Sequence, residues 1–116
     1  MKKNTKHDKC INDVVDLMWK KPWVEHIETN IEYPLNGSPK GEVDVLVKSY
    51  DHELWYIEVK SNDRPKARRK ARDQVNRWIK YMSDFTDHQL VGAYYSPQSG
   101  LEVMKSRYGG KYEIRR

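Results

Sequence analysis

Apolar and polar residues alternate through two neighbouring segments, GEVDVLVKS (Gly41–Ser49) and LWYIEVKS (Leu54–Ser61). A period of two, filled with Val, Ile, Tyr and Trp, predicts two strands, and the short polar loop through Tyr50-Asp51-His52-Glu53 makes them an antiparallel hairpin. With Lys48 opposite Leu54, the register sets Leu46 across from Tyr56, Asp44 across from Glu58 and Glu42 across from Lys60 on one face. Val43, Val45, Val47, Ile57 and Val59 then fill the other face and pack a core.

The flanking patterns place further elements around this hairpin. Met1 to Lys9 is polar and basic and is expected to fray. Ile11, Val14, Val15 and Met18 follow at helical spacing, and Pro22 closes that first helix. A first strand is expected over Ile27 to Tyr33, then a loop from Asn36 to Gly41. Gly41 is by default a turn glycine, or else a point where the backbone comes close to a ligand. Asp63 as N-cap and Pro65 in the first turn start the longest helix, running to about Phe85 with Ala67, Ala71, Val75, Trp78, Ile79 and Met82 as its apolar stripe. Leu90 to Ser96 is a strand ended by Pro97. Leu101 to Met104 is expected to begin a short helix or turn, Tyr108-Gly109-Gly110 a turn, and Lys111 to Arg116 an edge strand or basic tail. The order is αβββαβ, an α/β (α+β) fold with a mixed central sheet flanked by helices.

At 116 residues the chain is sized for one domain, residues 1–116 with a core over about 11–96. A formal net charge of +5, from 22 basic and 17 acidic residues, suits a polyanionic partner. One cysteine, Cys10, excludes an internal disulfide. With no apolar run of membrane-spanning length and no secretory leader, a soluble, intracellular (cytoplasmic) protein is expected and a membrane partner is not.

The hairpin's polar face carries the chemistry. Two carboxylates facing each other across strands lie roughly 5 Å apart at Cβ and repel, unless something positive sits between them. Asp44 and Glu58 are therefore candidate ligands of a divalent cation such as Mg²⁺, with the Lys60 ammonium beside it. Those are the parts needed to hydrolyse a phosphodiester. Lys66, Arg68, Arg69, Lys70 and Arg72 crowd the start of the long helix, where the macrodipole disfavours cations and a phosphate backbone would relieve the conflict. Gln74, further along that helix, either points back at the hairpin to bond a phosphate or water, or is simply exposed. Asp8, Asp13 and Asp16 lie on or near the polar side of the first helix, and Asp13 is the candidate for an additional acid at the site, against the plainer reading of solvated helix acids. His7, His26, His52 and His88 show no zinc-site spacing.

Asp44, then Glu58-Val59-Lys60 across a hairpin, followed by a helix carrying Gln74 and, four residues on, Trp78, resembles the PD-(D/E)XK nuclease superfamily. The Gln helix is most similar to the RecB-type branch, and the size and element order resemble archaeal Holliday-junction resolvases. The resemblance covers about residues 11 to 96. Val43 stands where many members have proline before the acid, and Trp78 where the RecB-type pattern has Tyr. The resemblance implies a restriction-endonuclease-like fold. It implies that Asp44, Glu58 and the Val59 backbone carbonyl hold Mg²⁺ or Mn²⁺, and that Lys60 and Gln74 act on the attacking water or the substrate. A metal-dependent deoxyribonuclease acting on DNA is the leading expectation, with a homodimer gripping the substrate. A non-catalytic nucleic-acid-binding module on the same fold is the alternative, and a sheet face with merely paired surface charges is the third class.

Overall fold

Helix α1 runs over Lys6–Trp19. The computed structural model of the chain describes residues 5–35 and 38–104. The Thr5 hydroxyl accepts from the Asp8 N–H at 3.1 Å, while Asp8 Oδ2 accepts from the Thr5 N–H at 3.3 Å. This capping box satisfies two donors that a helix start otherwise leaves orphaned. The helix therefore begins inside the segment expected to fray, and Asp8 is spent on its cap.

Five strands and a second helix follow: β1 (Val24–Leu35), β2 (Ser38–Ser49), β3 (Glu53–Val59), α2 (Pro65–Met82), β4 (Gln89–Ser96) and β5 (Gly100–Met104). The sheet order is β1-β2-β3-β4-β5. All neighbours are antiparallel except β3 and β4, which α2 joins as a parallel crossover. The fold is thus α+β around a mixed sheet. Ile11, Val14 and Met18 of α1 cover one face with Val45, Val47, Trp55, Ile57, Val59 and Val91. Val75, Trp78 and Ile79 of α2 cover the other with Tyr56, whose ring meets Trp78 edge-on at 5.6 Å.

The hairpin register is the expected one from Lys48↔Leu54 through Leu46↔Tyr56 to Val45↔Ile57. There the ladder stops. Asp44 and Glu58 are not a cross-strand pair, nor are Glu42 and Lys60, which lies beyond the end of β3; on its other edge Glu42 pairs with Glu32 of β1. Val43 also departs from expectation, being buried on the α2 face with Tyr56 and Ile31. Between the pairs Thr29↔Val45 and Ile31↔Val43 sits Asn30 with φ 55. A left-handed residue, which asparagine tolerates, breaks the two-residue alternation and turns Ile31 and Val43 to the opposite face.

Two other expectations are corrected. Leu101 to Met104 belongs to strand β5, because Gly100 (φ 71) closes a tight return from Ser96 and the side chains then alternate. The N-cap of α2 is Arg64 without a side-chain bond, Asp63 having turned to Arg68 instead, and the helix ends at Met82. The turn at Tyr108-Gly109-Gly110 and the strand or tail at Lys111–Arg116 lie outside the described residues. No helix among the described residues is long and apolar enough to cross a membrane.

Candidate functional site

Past Ile57, β3 keeps its parallel partner β4 while β2 leaves its other side. The Val59 N–H needs an acceptor there. Asp44, on the departing strand and 6% exposed, supplies one: its Oδ2 accepts from the Val59 N–H at 2.9 Å. The Val59 carbonyl accepts from His7 Nε2 at 2.9 Å, and the same nitrogen lies 3.4 Å from Asp44 Oδ2. A carbonyl only accepts, so this nitrogen carries the proton. One positive-edged N–H thus occupies the point between a buried carboxylate and a backbone oxygen.

Glu58 is 2% exposed and surrounded by donors. Its Oε1 accepts from the Tyr56 hydroxyl, and its Oε2 lies 3.1 Å from Lys60 Nζ. Gln74, its amide turned so that the nitrogen faces the carboxylate, donates to Glu58 Oε2 at 2.7 Å and to the Lys70 carbonyl at 3.3 Å. In the opposite amide orientation Gln74 Oε1 would instead accept from Lys60 Nζ at 3.3 Å. Burial first, then the charge of Asp44, pushes the Glu58 carboxyl up to about 7, against the opposing pull of Tyr56 and Lys60. Burial, and then Glu58, drives the Tyr56 phenol far above its ordinary range, so it stays a neutral donor. Its single proton serves Glu58 or the Glu42 carbonyl, 3.1 Å away.

A cleft of about 220 Å³ opens over Asp44, lined also by Tyr33, Gly41, Glu42, Tyr56, Gln74 and Arg77. Gly41 is required here by a ring rather than by a ligand: a Cβ would sit 2.3 Å from Tyr33 Cζ.

Asp44, Glu58, Val59, Lys60 and Gln74 are therefore brought into one neighbourhood. Asp13 is not; it is exposed on α1, and its charge is felt by Cys10 and Tyr95. The first helix reaches Asp44 through His7. That residue was hidden by the expectation of fraying, although the Thr5-x-x-Asp8 box and the four-residue step from His7 to Ile11 both signal it. Tyr56 shares the parity of Glu58 and was legible as a neighbour of the acids.

The basic start of α2 divides in two. Lys66, Arg69, Lys70 and Arg72 are exposed. Arg68 is committed inside the chain: it donates to Asp63 Oδ1 at 2.6 Å and Ser99 Oγ at 2.9 Å, pairs with Glu102 Oε2 at 2.8 Å, and lies 5.0 Å over the Tyr94 ring. Asp63, then Glu102, hold its guanidinium above even its usual range.

Among the described residues no three His, Cys, Asp or Glu side chains form a ready metal cage. The oxygen ligands present are two carboxylates and one backbone carbonyl, with the protonated Nε2 of His7 beside them. Such a mainly oxygen set suits Mg²⁺ or Mn²⁺, with waters or substrate oxygens completing the shell. The His7 N–H between Asp44 and Val59 marks where positive charge is favoured. No protein-family model matches the chain and no curated protein matches it, so the chemistry of the site rests on its own residues.

Proposed function

We propose that this chain is a metal-dependent DNA nuclease of the PD-(D/E)XK kind. The observation that carries the proposal is the pair of buried carboxylates, Asp44 within β2 and Glu58 near the end of the neighbouring β3. Glu58 is destabilised as an anion while an ammonium stands 3.1 Å away. Buried charge of this sort is costly unless it is neutralised, and sites that carry such strain are candidates for function.

Asp44, Glu58 and the Val59 carbonyl would hold Mg²⁺ or Mn²⁺, with His7 Nε2 as a further ligand once its proton moves to Nδ1. The ion, when bound, supplies Lewis acidity toward a phosphate oxygen and toward water. Lys60 brings an ammonium that orients the attacking water or stabilises charge developing on the phosphorus-bound oxygens. Gln74 fixes the Glu58 carboxylate by donating to its Oε2. Tyr56 keeps a hydroxyl donor on the buried side of Glu58, leaving Oε2 turned toward Lys60. Lys66, Arg69, Lys70 and Arg72 hold the DNA backbone, a contact that carries register and no sequence information. A free, buried Cys10 is in keeping with an intracellular setting, and two copies of the chain would grip a branched or two-stranded substrate. A monomer mass in solution at working concentration refutes the dimer.

The test is cleavage of linear, circular single-stranded, flapped and four-way-junction DNA with Mg²⁺, Mn²⁺ or EDTA. Activity that requires the metal and is lost in Asp44→Ala and Lys60→Ala supports the proposal. Binding without cleavage of any of them makes the chain a binding module instead.

A further inference from the structure

Three aromatic rings run outward from the Asp44 cleft. Tyr33 lines the cleft. Its ring centroid is 5.1 Å from that of Tyr81, tilted by 37°, and Tyr81 is 4.8 Å from Phe85, tilted by 38°. Exposure rises along the row: Tyr33 and Tyr81 are half-buried, and Phe85 is 67% exposed. The inner ring is held in place by β2, where only a glycine at position 41 leaves it room. Arg77, one helical turn before Tyr81, lines the same cleft, and its charge acts on the Tyr33 phenol.

Aromatic side chains in a row beside a cation that can meet the backbone are the hardware of single-strand binding, because every base has a π-face. A duplex keeps its bases stacked on one another and has none to offer. We propose that Tyr33, Tyr81 and Phe85 form a stacking platform that leads an unpaired DNA strand into the Asp44 cleft, with Arg77 on its phosphates. The choice of DNA rests on the nuclease reading above; the stacking of an unpaired strand rests on the row itself.

The experiment measures binding of the full chain, in EDTA, to labelled oligothymidylate, a mixed-sequence duplex of the same length and oligouridylate. The unpaired DNA is expected to bind most tightly. Phe85→Ala, a change at an exposed ring, should weaken that binding about tenfold while changing duplex binding by roughly twofold or less. Phe85→Trp should restore it. A 2-aminopurine placed in the unpaired strand should be quenched by wild type and by Phe85→Trp but not by Phe85→Ala. Unchanged single-strand affinity in Phe85→Ala overturns the platform, as does tighter binding of duplex or of oligouridylate. Stacking without any cleavage of DNA keeps the platform and removes the nuclease reading. Metal-dependent cleavage with unchanged binding by Phe85→Ala does the reverse.

Discussion

Glu58→Gln should stabilise the metal-free protein in a pH-dependent way. The buried carboxyl titrates at about 7 against an ordinary 4.5. At 1.36 kcal/mol per pKa unit, that difference is about 3 kcal/mol. The sign follows from which state keeps the proton. Below about pH 4.5 folded and unfolded chains both hold it, and Glu58 costs nothing. Between pH 4.5 and 7 the unfolded chain ionises first, so stability falls as pH rises. Above 7 the full penalty stands. Glutamine keeps an oxygen to accept from Tyr56 and has no charge to desolvate, although Lys60 loses its ion-pair partner. The attraction of Lys60 is already contained in the value of about 7; repacking shifts the variant's stability at every pH, whereas the titration separates the two proteins only on the alkaline side. Urea unfolding in EDTA at pH 4.5 and pH 8 measures both. The stability of the variant minus that of wild type should grow by about 3 kcal/mol across this range. Parallel pH curves for the two proteins would refute the reasoning, because Glu58 would then be an ordinary carboxylate.

Four other outcomes are expected, the last of them a contrast between two arginines. His7→Gln should raise the Mn²⁺ concentration needed for half-maximal thermal stabilisation about tenfold or more, measured at pH 8. Asp44→Asn should loosen the bond to the Val59 N–H from a charged to a neutral acceptor, seen as faster amide hydrogen exchange at Val59 in the metal-free protein. Gly41→Ala should cost about 1–3 kcal/mol in denaturant unfolding, since the added methyl overlaps the Tyr33 ring. Arg69→Ala should lower the slope of log affinity for DNA against log salt by about one contact. Arg68→Ala should leave that slope unchanged and lower the melting temperature, because its partners are Asp63, Glu102 and Ser99.

Much of this arrangement is written in local periodicity. The β2–β3 register agrees with the expected pairing of Lys48 with Leu54 across the short loop, which keeps Val45, Val47 and Ile57 on one face. Pro65 and the stripe from Ala71 to Met82 marked α2 for the same kind of reason. Local patterns fail where a single residue changes the rule. Asn30 adopts a left-handed φ, and Val43 consequently changes face. The β2–β3 ladder ends at Val45, so Asp44 meets the Val59 N–H instead of opposing Glu58. Arg68 looks like its basic neighbours in sequence, and only the return of β5 brings Glu102 and Ser99 to it. His7 was legible through its helix cap, yet its nearness to Asp44 and Val59 depends on how α1 lies across the sheet.

Cleavage of a flapped or single-stranded DNA by wild type and Asp44→Ala, with Mg²⁺ and with EDTA, tests the central claim most directly. The account predicts cleavage by wild type in Mg²⁺ alone, with none from the variant even though it is folded and binds the same DNA. Equal activity in Asp44→Ala, or cleavage that persists in EDTA, would contradict it.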